Sequence, residues 1–247
     1  MTNVVMSDEA EGALQNIFEI TKPISIFVYG SRARTDFKPT SDYEVGAIYL
    51  KENKPRRAEI AALHNVEGLN VYPFAAEGLK QYNLDTPFPR AIYLRELIGS
   101  SRTVFGQEIL EKMELPVIRL TDLLESAAFE VATAFAAVRS FRTNDLITTS
   151  INFKSALFGA RILEILELKK FPLTYDGIFE TTKQLDLSPE YLPLLDHAMR
   201  VRRGEKIQEQ FLFTNITFLN QEVLKKVKHE LSASGDRTVL PGKKIEW

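Results

Sequence analysis

The chain has 247 residues, 45% of them apolar and 26% charged, with a formal charge of −2 at neutral pH. That length can bury a real core as one large or two modest domains, and the charge excludes a chain built mainly to coat nucleic acid. Cysteine is absent, which removes disulfide frameworks, thiolate zinc sites and thiol nucleophiles together.

The first twelve residues, MTNVVMSDEAEG, are acidic and lack a basic-then-apolar leader pattern. No apolar run approaches the roughly 18 residues of a membrane span, so the expectation is a soluble cytoplasmic protein. Ser7 ahead of Asp8, Glu9 and Glu11 marks a helix start, because a hydroxyl caps free N–H groups and acids suit the positive end of the helix dipole. Leu14, Ile17, Phe18 and Ile20 give that helix a narrow apolar stripe. Pro23 closes a linker, and Ile24, Ile26, Phe27 and Val28 predict a buried strand. Gly30 then supplies the dihedral freedom of a tight turn and room for close approach. Ten residues separate Ser31 from Asp42, and a second strand runs from Tyr43 to Leu50. After the polar run KENKPRR, residues 55–64 suit a short helix, with Ile60 and Leu63 on one side. Gly68 introduces a third strand, Leu69 to Phe74. Strand, helix and strand at short intervals predict an α+β arrangement, a small mixed sheet flanked by helices.

Pro89 to Ile98 reads as a helix stopped by Gly99 and Ser100. RTVFG follows as an extended piece, and Gln107 to Met113 as a helical start. ELPVIRL, residues 114–120, is a linker with Pro116 as its breaker, which places one domain at 1–115. Residues 121–142, 146–168, 174–186, 188–203 and 205–231 carry helical periodicity, with Thr121, Asn144 and Ser188 where N-caps are expected. In the first of these, Leu124, Ala127, Ala128, Val131, Ala132 and Phe135 form a mostly small stripe suited to close packing. Residues 116–232 are therefore expected to form an up-and-down helical bundle for acceptor or partner binding. Residues 233–247 are expected as an extended tail. His64, His197 and His229 show no ligand spacing and read as surface or boundary residues, so a metal would be held by oxygen. The PRR of 55–57 reads as a solvated helix start, and the cations of RVRRGEK, 200–206, suit a helix end.

Asp42 and Glu44 lie two apart at a strand start and so share a face, where together they can hold a hard cation. Phosphoryl and nucleotidyl transfer ask little covalent help of a protein; they need cations that bridge phosphate oxygens and align attack with departure. A nearby Gly30–Ser31 turn offers backbone N–H groups and a hydroxyl to the distal phosphates.

The run GSRARTDFKPTSDYEVGAIY resembles the signature of the polymerase-beta-like nucleotidyltransferases, in which Gly-Ser is followed by Asp-x-Asp or Asp-x-Glu. It is most similar to the minimal nucleotidyltransferases and the aminoglycoside nucleotidyltransferases. Gly30, Ser31, Ala33, Arg34, Ser41, Asp42 and Glu44 fall where those families have their equivalents, firmly over residues 24–50 and more loosely to about residue 112. Thr35 departs from the pattern, standing where a glycine is common. The resemblance implies Mg²⁺ on Asp42 and Glu44 and nucleotide contacts from Gly30, Ser31, Arg34 and Ser41; Arg34 alternatively braces the turn through an internal acid. It further implies a third acid on the next core strand, and there the chain has Asn70. An amide can donate its carbonyl to a metal but cannot take up a proton as a base. Glu67, Glu77, Glu125 and Glu130 are the candidates for a base from elsewhere.

Three functions follow from the resemblance. The first is Mg²⁺-dependent transfer of a nucleoside monophosphate, AMP from ATP, onto a hydroxyl of a small acceptor such as an aminoglycoside-like antibiotic. Glu125, Glu130, Asp145, Glu164 and Glu167 would then furnish an acidic acceptor cleft. The second is an antitoxin of the minimal type that adenylylates a protein partner. The third is a nucleotide-binding homologue with weakened or lost catalysis because Asn70 replaces the third acid. Expected partners are a nucleoside triphosphate and either a small hydroxyl-bearing acceptor or a protein, without membrane or nucleic acid; a homodimer stays open.

Overall fold

A computed structural model describes residues 4–34, 36–37, 41–84, 86 and 88–244. Thr35 lies outside the described residues, as do residues 1–3 and the last three of the tail. The chain divides into two compact units, residues 1–116 with 242–247 and residues 117–241.

In the first unit, α1 (Asp8–Thr21) starts where Ser7 Oγ accepts from Ala10 N–H, as the sequence predicts. Strand β1 (Ser25–Tyr29) is wholly buried and runs into a four-residue helix, α2 (Ser31–Arg34). Strand β2 (Tyr43–Tyr49) returns antiparallel to β1, with Tyr29 opposite Glu44. A crossover through α3 (Arg57–Ala61) leads to β3 (Leu69–Ala75), parallel to β2. Then come α4 (Ala76–Lys80), α5 (Arg90–Ser100) and β4 (Arg102–Gly106), which pairs antiparallel with β1 and completes the order β3-β2-β1-β4.

Alternation of side chains across this mixed sheet makes two cores. Leu14 and Ile17 of α1 and Ile60 of α3 pack on Ile26, Val28, Val45, Ala47 and Val71. On the opposite face Phe27, Tyr29 and Ile48 meet Leu79 of α4 and Leu94, Leu97 and Ile98 of α5. Gly46 is a packing requirement, since a Cβ there would fall 2.0 Å from Phe27 Cζ. The ring thus lies across β2 and helps seal the face that carries the acids.

Several local expectations need correction. Gly99 and Ser100 do not stop α5; both lie inside it, and Ser101 caps its end. Residues 107–113 form only a 3₁₀ turn, Leu110–Lys112. The stretch 114–120 holds two short strands, β5 (Glu114–Leu115) and β6 (Ile118–Arg119), on either side of Pro116. Their partners come from the far end of the chain, where no periodicity could announce them. Within the first unit β5 pairs with β8 (Lys243–Lys244), and within the second β6 pairs with β7 (Thr238–Leu240).

The second unit is helical: α6 (Leu120–Arg142), α7 (Leu146–Phe153), α8 (Ser155–Leu163), α9 (Tyr175–Thr182), α10 (Leu192–Arg202), α11 (Glu209–Phe218) and α12 (Lys225–Ser234). Helix α8 continues into a π-helical turn, Glu164–Leu168, and a second π segment, Leu219–Leu224, joins α11 to α12. The expected caps shift by a residue or more. Asp122, rather than Thr121, closes the start of α6 by accepting from Arg119 N–H at 2.7 Å. Asp145 caps α7 through Thr148 N–H at 3.0 Å, while Asn144 takes the left-handed conformation before it. Ser188 makes no side-chain cap, and Thr174 caps α9. The buried face of α6 is Leu123, Ala127, Glu130, Ala134 and Ala137, whereas Phe135 of the expected stripe is 56% exposed. Abundant alanine makes neighbouring faces equally apolar in sequence, and Glu130 masked the correct one.

Candidate active site

Glu44 stands in the second position of β2, with Tyr29 of β1 opposite it on one side and Asn70 of β3 on the other. Residues in register on neighbouring strands share a face, so Tyr29, Glu44 and Asn70 form a row across three strands. Asp42 lies two residues ahead of Glu44, beside Gly68, whose carbonyl accepts from Tyr43 N–H at 2.8 Å. Both acids are exposed.

The Gly30 turn is shaped around Glu44. Gly30 has φ +71°, and a Cβ on it would come within 2.0 Å of Glu44 Oε2. Only glycine provides both the left-handed backbone and the space for that carboxylate. Gly30 N–H points to Ser100 Oγ of α5 at 3.4 Å, and Gly30 C=O accepts from Arg34 N–H. Ser31 opens α2 directly beside this cradle. Ser41, next to Asp42, is anchored by Arg32, whose guanidinium donates twice to Ser41 C=O, at 3.0 and 2.7 Å, and lies 3.8 Å from the Tyr43 ring centroid. Arg34 turns the other way: it pairs with Glu96 of α5 at 2.8 Å and with Asp36 at 3.6 Å. Its side chain is 6% exposed, which matches the bracing role rather than an open phosphate contact.

Behind the acids, Tyr93 of α5 donates to Tyr29 Oη at 3.4 Å. Burial pushes the Tyr93 phenol up to about 12, with the charge of Glu44 adding to the rise. Burial raises Tyr29 as well, reinforced by Tyr93 and then Glu44. Both phenols therefore stay neutral at ordinary pH.

Asn70 does not stand alone. Arg57, from the first turn of α3, donates to Asn70 Oδ1 at 3.3 Å and to Tyr72 Oη at 3.2 Å, with its guanidinium 4.2 Å from the Tyr72 ring centroid. Arg57 is exposed at the start of α3, as a solvated helix start requires; its contact with Asn70 was not foreseen, because it joins a helix start to an edge strand 13 residues later and leaves no periodic signal. Arg32, Tyr93 and Ser100 were missed for the same reason.

Two exposed carboxylates with oxygen donors only, one seated where a Cβ is missing, fit a hard cation such as Mg²⁺. Asp42 and Glu44 would hold it, and bound there it would neutralise phosphate charge. Among the described residues there is no cluster of three or more acids or histidines able to take a metal. The other candidate acids take various places. Glu67 and Glu77 are exposed near the two ends of β3, Glu125 is exposed on α6, and Glu130 is buried there. Glu164 is fully buried and so cannot line an open cleft; Asp145 is a helix cap, and Glu167 is paired with Lys226 at 3.0 Å. His197, expected near the surface, is also fully buried. It stacks on Phe211 at 4.3 Å, and its Nε2 accepts from Gln208 N–H. The cations of 200–206 are engaged locally: Arg200 with Asp196 and Glu205, Arg203 with Asp176, and Arg202 over Tyr175.

The first unit is a four-stranded mixed sheet with an acid pair at the opening of β2 after the Gly30–Ser31 turn, and the second unit is helical. The chain is similar to the spectinomycin adenyltransferase AAD(9) from Enterococcus faecialis, whose crystal structure contains ATP and spectinomycin. The likeness covers 89% of this chain and 100% of that one, with a TM-score of 0.60 and 14% sequence identity. No family model and no curated protein matches the chain. Among the described residues no helix is long and apolar enough to cross a membrane.

Proposed function

We propose that the protein is a Mg²⁺-dependent nucleotidyltransferase that moves AMP from ATP onto a hydroxyl of a small acceptor, with pyrophosphate leaving. The observation that carries this reading is the seating of Glu44 on Gly30, with Asp42 two residues ahead, in a fold shared with an adenyltransferase solved with ATP and spectinomycin. Asp42 and Glu44 hold the cation, and the Gly30–Ser31 turn receives the distal phosphates. Ser41 is held in place by Arg32, and Arg34 stiffens the turn through Glu96. Acceptor binding is assigned in this reading to the helical bundle expected at 116–232. The test is incubation with α-labelled ATP, Mg²⁺ and a panel of aminoglycosides and related hydroxyl-bearing antibiotics. Magnesium-dependent adenylylated product is expected; no product together with no magnesium-dependent ATP binding sinks the reading.

A second reading is favoured by the Asn70–Arg57 contact: the site binds nucleotide but turns over weakly, because the strand that should bring a third acid brings an amide. Calorimetry with a non-hydrolysable triphosphate beside a turnover assay separates the two. Binding without turnover supports the second reading, and turnover that Asn70→Asp leaves unchanged removes its basis.

A further inference from the structure

The acids of this site all come from the start of β2. At the register position of Glu44, β3 contributes Asn70, and Arg57 fills the place beside it. A magnesium ion demands near-octahedral oxygen geometry and is usually held by one or two carboxylates, with phosphates and water completing its shell. Asp42 and Glu44 meet that need once. A second ion, about 3.5–4 Å from the first in two-metal phosphoryl-transfer sites, needs a further carboxylate from the neighbouring strand. Here the neighbouring strand offers a neutral amide oxygen that already accepts a hydrogen bond from a guanidinium. A dication drawn to Asn70 would sit within a few ångströms of that permanent positive charge, and like charges repel.

Arg57 is also well placed to act. Its exposed side chain makes two hydrogen bonds and lies over the Tyr72 ring, which hold its planar fork beside Asn70. Neighbouring strands lie about 4.8 Å apart. Gly30 borders Glu44 on the β1 side and Asn70 borders it on the β3 side. Arg57, bound to Asn70, therefore lies on the β3 side of Glu44, across from the Gly30 turn.

We propose that the site takes a single divalent cation, on Asp42 and Glu44, and that Arg57, held by Asn70 and Tyr72, supplies the fixed positive charge where a second cation would need a third carboxylate. This rests on the nucleotidyl-transfer reading and deepens it. The test is equilibrium dialysis of the full chain against Mn²⁺ and a non-hydrolysable ATP analogue, with bound metal and bound nucleotide both counted and folding checked by thermal melting. One Mn²⁺ per bound nucleotide is expected for the natural sequence. Arg57→Ala should keep that ratio while weakening nucleotide binding about tenfold, the usual worth of a charged hydrogen bond. The double variant Arg57→Ala with Asn70→Asp should take two. Two Mn²⁺ in the natural sequence overturns the proposal and leaves the transfer reading standing. One in both the natural and the double-variant proteins overturns the part assigned to Arg57 and Asn70. No nucleotide-dependent Mn²⁺ at all overturns the transfer reading beneath it.

Discussion

Asp42 and Glu44 stand exposed at the opening of β2, whereas Glu164 lies fully buried in the π-helical turn that ends α8. All three are carboxylic acids; spacing after Gly30–Ser31 marks the first two in the sequence, but nothing local marks Glu164 as buried. The fold sends them in opposite directions. Glu44 stands exposed against a glycine that leaves room for its carboxylate. Glu164 accepts from Thr182 Oγ1 at 2.7 Å, its Oε2 has no hydrogen-bond partner, and burial pushes its carboxyl up to about 7, with Thr182, Arg161 and Lys170 pulling it back. A third kind is represented by Glu167 and Glu222, which share Lys226 on the surface. An acid can thus stand open at a strand end, keep a proton in a packed interior or solvate a helix face, and its surroundings choose.

The largest effect that could break this contrast comes from the exposed acids. Glu44→Ala or Asp42→Ala should weaken magnesium-dependent nucleotide binding by at least ~1000-fold, about 4 kcal/mol, because each removes a ligand of the proposed metal site. Their exposure means that the melting temperature should barely move. Calorimetry with and without Mg²⁺ reads the first, and thermal unfolding the second; a binding loss that appears equally without metal would refute the assignment.

Next comes Glu164, through stability rather than binding. Its folded value of about 7 lies above the ordinary 4.5, so the folded state keeps its proton to higher pH than the unfolded chain does. Stability from this group is therefore greatest below about 4.5, falls as pH rises toward 7, and above 7 the full cost is present, about 3 kcal/mol at 1.36 kcal/mol per unit. Glu164→Gln keeps an acceptor for Thr182 and should flatten the urea midpoint between pH 5 and 8. If the variant and the natural protein trace the same pH curve, Glu164 carries no such cost.

Gly30→Ala sharpens the comparison at the other acid. A left-handed alanine costs about 1–2 kcal/mol of stability, and its Cβ displaces the Glu44 carboxylate, so nucleotide affinity should fall about tenfold as well. The two losses are read separately, in a melt and in a titration. Smallest of all, Lys226→Ala should change stability by less than ~1 kcal/mol, since exposed ion pairs contribute little. A larger loss in the melt would place Lys226 in the packing of α12.

The strand, turn and acid pair were legible because each is a local pattern: an apolar run, a glycine, two acids two positions apart. Four strands of the sheet and most helix spans fell where periodicity placed them. The α6 face was misjudged because alanine offers no contrast between neighbouring faces. Gly99 and Ser100 were read as a stop because their intrinsic preference opposes helix, yet Ile98 and Leu97 of the same turn are buried against the sheet, and packing outweighs propensity. His197 was read as a surface or boundary residue and Glu164 as part of an acidic cleft, since nothing local announces that neighbouring helices will cover them.

From its sequence alone the chain determined the Gly30–Ser31 turn, the interval to Asp42 and Glu44, and the change from mixed sheet to helices, all short-range features written in spacing and residue type. Only the tertiary structure decided that Gly30 makes room for Glu44, that Arg57 reaches Asn70, and that Glu164 is shut away from water. Those three depend on which side chains meet across strands and helices, and a side chain's charge and reach take their meaning from what the fold sets against it.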